Sequence, residues 1–188
     1  MPRPGLTRER IARTAAELAD EVGLDSVTVS GVAQRLGVSG PAMYKHVAGL
    51  DALRRDIAVL AVGELATALG DAAVGRARAD ALAGVAGAYR AYGRAHPGRL
   101  AASVRAPAPG DDEHAAVSNR ALEVLTAVLR GYGIGEADMV DALRTVRAVL
   151  HGWTVLEVSG GFSLPQDVDA TYERYVAGLD AALRAFVG

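Results

Sequence analysis

Cysteine is absent from this 188-residue chain. That excludes disulfide staples, thiolate zinc sites and cysteine nucleophiles together. Lysine is nearly absent as well: of the 20 basic side chains, Lys45 alone is a lysine. No charge-free apolar run approaches the ~18 residues that a membrane span requires. The opening MPRPGLTRER lacks the apolar stretch of a signal peptide, so a soluble, cytoplasmic protein is expected, with no membrane partner. An excess of one charge sign is also missing. The net charge is −2, and residues 1–50 carry six basic against five acidic side chains, so charge alone announces no nucleic-acid partner.

Enzymatic signatures are lacking too. His46, His96, His114 and His151 are scattered, with no pair at H-x-x-x-H or H-E-x-x-H spacing. His114 follows an acidic loop and is expected on the surface. Gly131-Tyr132-Gly133-Ile134-Gly135 imitates a phosphate-binding loop, but no strand precedes it, and it reads as a turn between helices. No serine has a base in a recognisable frame. The expectation is therefore no catalytic residue, no metal and no cofactor.

What is present is helical periodicity. Thr7 opens a helix with Ile11, Ala15, Leu18, Ala19 and Val22 at helical spacing, closed by Gly23. Val27–Val47 then reads as two short helices about a tight turn. Val32, Ala33 and Leu36 give Val29–Leu36 one apolar face, with Thr28 or Ser30 as its cap. Gly37 suits a left-handed stop, Ser39 offers an N-cap oxygen, and Pro41 fits the first turn of a second helix over Gly40–Val47. Ala42, Met43 and Val47 point inward, leaving Tyr44, Lys45 and His46 near its outer, C-terminal part. Two helices crossing at such a turn form a helix-turn-helix, whose second helix enters the DNA major groove.

Further helices are predicted over Asp51–Gly70, Ala79–His96, from the acidic Asp111–Glu113 cluster to about Gly131, over Glu136–Gly160 and over Asp169–Val187, with a brief segment to Ala106 between the second and third. The fold class is all-α, about nine helices. Residues 1–50 would form a three-helix reading head and residues 51–188 a larger helical ligand-binding and dimerisation domain, with the fourth helix as a lever between them. The last two long helices look too apolar for one subunit to cover. Val149, Leu156, Tyr172, Val176, Leu179 and Leu183 are the candidate dimer contacts, and closed two-fold dimers are the commonest soluble oligomers.

The run from Thr7 to about Leu53, above all VAQRLGVSGPAMYKHV, resembles the N-terminal domain of the TetR family of bacterial transcriptional repressors. Leu150-His151-Gly152-Trp153 through Glu157 to Phe162, with His96-Pro97-Gly98, resembles the regulatory domain of its WHG branch. The resemblance implies phosphate contacts from Thr28, Tyr44 and His46, and a minor-groove contact from Arg3 in the N-terminal arm. Ser39, Gly40, Pro41 and Lys45 are better placed for base edges. The family usually carries a phosphate-contacting lysine where this chain has Leu50, followed by Asp51. Tyr89, Tyr92, Met139, His151, Trp153, Glu157 and Phe162 are candidates to line a cavity for a small, mostly apolar effector, or else to pack the core and interface. Glu157 would pair across the dimer or meet a cationic ligand group. The expected protein is a homodimeric, effector-responsive regulator on a two-fold-symmetric operator in double-stranded DNA. The alternative is a dimeric small-molecule binding protein whose reading head has lost DNA affinity.

Overall fold

A computed structural model describes residues 5–186 of the chain. Among these residues there are nine α-helices and no strand. They are α1 (Arg8–Val22), α2 (Val29–Leu36), α3 (Gly40–Tyr44), α4 (Leu50–Ala73), α5 (Arg78–Ala95), α6 (Pro97–Ala102), α7 (Asp112–Tyr132), α8 (Glu136–Val158) and α9 (Val168–Ala185). The protein is all-α, as its periodicity requires. Arg3 lies outside the described residues.

Packing divides the chain into two compact units. The first comprises residues 1–64 and 96–115, the second residues 65–95 and 116–188. The division differs from the expected boundary near residue 50. The start of α4 and all of α6 pack with the reading head, so the first unit is assembled from two stretches of chain.

In that first unit, α1 begins at Thr7, whose side chain accepts the Arg10 N–H at 3.2 Å. Ile11, Ala15 and Ala19 are fully buried along one face and pack with Val27, Val32, Met43, Leu53 and Ile57. Fully burying an Ile, Leu or Met side chain is worth about 1.5–3 kcal/mol. These few large residues therefore hold several short helices that could not stand alone. The alanines allow close approach. At Gly98, near the start of α6, an added Cβ would lie 2.1 Å from the Ala19 carbonyl carbon and oxygen. This contact gives the His96-Pro97-Gly98 motif a packing reason. Asp20 completes it: its carboxylate accepts the Arg99 backbone N–H at 2.9 Å and lies 3.1 Å from Arg99 Nε and 3.2 Å from His96 Nδ1.

The second unit is built on α5, α8 and α9, with the remainders of α4 and α7. Leu82, Val85, Ala86 and Tyr89 of α5 are buried, as are Met139, Ala142, Val146 and Leu150 of α8. α9 buries Tyr172, Leu179 and Leu183, and the Tyr172 hydroxyl donates to the Ala86 carbonyl at 2.7 Å. Three expected dimer contacts are thereby corrected. Tyr172, Leu179 and Leu183 are covered within their own chain, because the stripe they form faces α5 and α8. α8 is also less apolar than its sequence suggested, with Asp141, Arg144 and Arg147 exposed. Among the described residues, no helix is long and apolar enough to cross a membrane.

Candidate functional site

The turn between α2 and α3 follows from local chemistry. Thr28, not Ser30, caps α2: its Oγ1 accepts the Gly31 N–H at 3.0 Å. α2 ends at Gly37, in the left-handed region at φ 66 and ψ 34. The N–H of Val38 then returns to the Ala33 carbonyl at 3.0 Å, the closing bond of a glycine-stopped helix. Ser39 stands at the N-cap of α3, but its side chain makes no capping hydrogen bond. The expected cap is absent because Pro41, at the second helical position, has no N–H to give and the Ala42 N–H donates to the Ser39 backbone carbonyl at 3.0 Å. The Ser39 hydroxyl is left exposed and uncommitted among the described residues.

α3 is shorter than predicted, ending at Tyr44 rather than Val47. The His46 N–H closes a tight turn onto the Met43 carbonyl at 2.9 Å, and Gly49, at φ 135, redirects the chain into α4. Met43 and Val47, 0% and 2% exposed, anchor this short element in the core. Pro41, Tyr44, Lys45 and His46 are left exposed, with Gly40 half-buried. Tyr44 is 63% exposed and so is not packed on α1. Most arginines of this unit are engaged: Arg35 with Glu21, Arg13 with Glu9, Arg8 with Asp56, Arg54 with Asp25 and Arg105 with Asp51. Among the described residues Lys45 has no such partner. An exposed, unpaired ammonium beside a phenol, an imidazole and a free hydroxyl makes a surface for a polyanion with donor and acceptor edges.

In the second unit, the expected effector residues gather as two groups rather than one. The Tyr89 hydroxyl and His151 Nδ1 are 2.9 Å apart, with the rings edge-on. Burial pushes the Tyr89 phenol up to about 12, and it holds the His151 imidazole below its ordinary range, as does nearby Arg147. The phenol can donate to Nδ1 or accept from it, according to the imidazole tautomer. Met139 is 5% exposed and Tyr92 half-buried.

The second group surrounds Trp153, whose ring lies 4.6 Å from Phe162, 4.8 Å from Tyr175 and 5.3 Å from Tyr172. Trp153 and Phe162 line a hollow of about 480 Å³ with Leu164, Val168 and Thr171. Glu157 and Phe162 line a smaller adjoining hollow of about 280 Å³. A larger open groove of about 750 Å³ runs between α5 and α9 past Arg90, Tyr172 and Val176.

Within its own chain Glu157, at the wall of the smaller hollow, is paired with Arg90. Arg90 of α5 donates to both its carboxylate oxygens, at 2.7 and 2.5 Å, and also reaches Asp169 at 2.6 Å. The Arg90 hydrogen bonds hold the Glu157 carboxyl below its usual range against the opposing effect of burial. Arg90 also sits over the Tyr172 ring, 4.6 Å from its centroid. Sequence reasoning missed Arg90, because a partner 67 positions away leaves no periodic signal. His114 is likewise corrected: it is fully buried, not on the surface. Asp111 accepts its backbone N–H at 3.1 Å, and residue 114 shares a helix face with Val117 and Ala121. The intended dimer contacts Val149 and Val176 are half-buried, and Leu156 is 53% exposed. Among the described residues no cluster of three or more potential ligands is placed to hold a metal ion.

Comparison with known proteins supplies the context for these two regions. The sequence profile "Bacterial regulatory proteins, tetR family" matches residues 11–57, and "Tetracyclin repressor-like, C-terminal domain" matches residues 82–179. An uncharacterized HTH-type transcriptional regulator of Mycobacterium tuberculosis, Rv0681, is 37% identical over 179 residues, covering 95% of this chain and 82% of its own. A second such regulator, YobS of Bacillus subtilis, is 31% identical, covering 89% and 87%. Among solved structures, a possible TetR family transcriptional regulator from Streptomyces coelicolor A3(2) superposes with a TM-score of 0.68 at 27% identity, covering 95% of this chain and 96% of its own.

Proposed function

Since this chain belongs to the TetR family, whose members are ligand-responsive repressors that bind DNA as dimers, we propose that it represses transcription from a two-fold-symmetric operator and is released by a small-molecule effector. One observation carries the reading: Lys45, the single lysine of the chain, stands exposed and without an acidic partner on the surface of the reading head. Lys45, with Ser39, Gly40 and Pro41, reads base edges in the major groove. Thr28, Tyr44 and His46 hold the flanking phosphates. Two heads in one dimer would engage half-sites about 34–36 Å apart, or a multiple of that spacing.

The dimer forms through the exposed side of α8, where Val140, Val155 and Leu156 stay uncovered at 53%, 37% and 53% exposure, with Val149 at its margin. The exposed edge of α9 contributes small residues, Ala177, Gly178, Ala181 and Ala182, which admit close helix approach. The effector enters at the Trp153 and Phe162 hollow, whose lining is apolar with a few polar groups. Glu157 lines the smaller adjoining hollow, and Tyr89, Tyr92, Met139 and His151 belong to the same unit. Effector binding favours a dimer whose heads are wrongly spaced, a coupling of typically ~1–3 kcal/mol.

A second reading has one observation in its favour. Leu50 and the 83% exposed carboxylate of Asp51 stand at the start of α4, where a cation would suit a phosphate. A head impaired in this way would leave a dimeric small-molecule binding protein. Selection of duplexes from a random pool with purified protein separates the two. Enrichment of a two-fold-symmetric consensus is expected; no enrichment at low salt would favour the binding protein.

A further inference from the structure

The segment between α6 and α7 follows the beginning of α4 and is tied to it by two ion pairs of opposite polarity. At the first, the Arg105 guanidinium meets both oxygens of the Asp51 carboxylate, at 2.8 and 2.9 Å. One turn along α4, the signs are reversed. Arg55 donates to the Asp111 carboxylate, at 2.7 Å through Nε, and to Glu113 at 2.6 Å. Helix α4 thus presents minus then plus, and the segment plus then minus. A slip of the segment along the helix would oppose like charges.

The two pairs differ in burial, and the difference separates their roles. Arg55 and Asp111 are 16% and 15% exposed, so the inner pair belongs to the folded interior. The outer pair is open to solvent, with Asp51 83% and Arg105 35% exposed. An ion pair that exposed adds only ~0–1 kcal/mol to stability. Its reason lies instead in where Asp51 sits. Asp51 suits the first turn of α4, where a carboxylate complements the helix dipole. Yet α4 begins immediately after the turn that carries Lys45 and His46, and the buried Val47 fixes that turn in place. A bare carboxylate at this end of α4 would oppose an approaching phosphate, since charges act over a Debye length of ~8 Å at physiological salt.

We propose that Arg105 masks Asp51 at the DNA-facing start of α4, so that a side chain 54 positions from its partner sets operator affinity without reading the operator. The inference rests on the DNA-binding reading above. It makes the α6–α7 segment a determinant of affinity and explains how a head with Leu50 and Asp51 in place of a cation still accepts a phosphate backbone.

A double-mutant cycle on the full chain tests the mask, using the protein's own selected duplex and fluorescence anisotropy at two salt concentrations. Arg105→Gln should weaken binding by roughly two- to fivefold, the range of one exposed charge interaction, with sequence preference unchanged and the loss shrinking at higher salt. Asp51→Asn should bind at least as tightly as the unsubstituted protein, and the double variant, which loses one charge of each sign, should return to the affinity of the unsubstituted protein. Thermal unfolding of all three proteins keeps a folding defect apart from a binding defect. The proposal is overturned if Arg105→Gln has no effect, if Asp51→Asn weakens binding, or if the double variant stays as weak as Arg105→Gln, which would make Arg105 a phosphate contact in its own right. A protein that selects no duplex at all would sink the DNA-binding reading, and the mask with it.

Discussion

Two residues decide more than their neighbours, for opposite reasons. Lys45 is exposed and its side chain has no hydrogen-bond or ion-pair partner among the described residues, so Lys45→Ala should leave the unfolding temperature unchanged. It should relax the selected consensus at one position per half-site, at a cost of about 1–3 kcal/mol in discrimination for a good lysine–guanine contact. Repeating the duplex selection with the variant checks this; an identical consensus would remove Lys45 from base readout. Gly98 is held by packing. A methyl group there would lie 2.1 Å from the Ala19 carbonyl, and backbone cannot rotate away as a side chain can. Gly98→Ala should destabilise the first unit by about 1–3 kcal/mol, the usual cost of overpacking, measured by urea denaturation. Lys45 could be singled out from composition alone. Gly98 could be marked only as part of a motif, because its neighbour in space is Ala19, far away in the chain.

At the scale of helices, the pairing of α5 with α8 through Arg90 and Glu157 gives a pH dependence with a definite sign. The Glu157 carboxyl titrates below its ordinary value of 4.5 in the folded protein because Arg90 hydrogen-bonds its charged form. Its contribution is therefore present above about pH 4.5 and lost as pH falls through the lower folded value. Removing Arg90 leaves a carboxylate only 14% exposed without its main partner. Arg90→Ala should cost roughly 3 kcal/mol at neutral pH, and Glu157→Gln on that background should recover part of it. Unfolding free energies at pH 7 and pH 4 check both statements: the Arg90→Ala deficit should narrow at the lower pH. Helix positions were readable from periodicity, and α2 and α9 fall close to their predicted spans. The ends were less so, as α3 shows: a five-residue helix is held by Met43 and Val47 in the core, not by its own propensity.

For the whole molecule, the testable claim is assembly. Leu156 is a large apolar side chain more than half exposed in the single chain. Leu156→Glu should leave each subunit folded, because the residue is not part of the core, and should shift sedimentation from dimer to monomer. Operator affinity should fall with it, since a single head engages only one half-site. A variant that still sediments as a dimer would move the interface elsewhere. Tyr172, Leu179 and Leu183 are unsuitable for this test, because replacing them would damage the subunit itself.

Much of this protein was determined by local chemistry that any reader of the sequence can follow. The caps at Thr7 and Thr28, the left-handed glycine at position 37 and the helical spacing of apolar residues act over one or two turns, so they appear in order along the chain. The reading head and the all-α class follow from them. Only the tertiary structure decided which apolar faces find partners within the chain and which charges meet. Leu179 turned inward while Leu156 stayed exposed, His114 was buried, Arg90 claimed Glu157, and Arg105 came to Asp51. The physical reason is common to all of these. A helix's stripe shows that it must be covered, and a charge that it needs a counter-charge, but the partners lie far along the chain, 54 and 67 positions away for the two ion pairs, where no local period reaches.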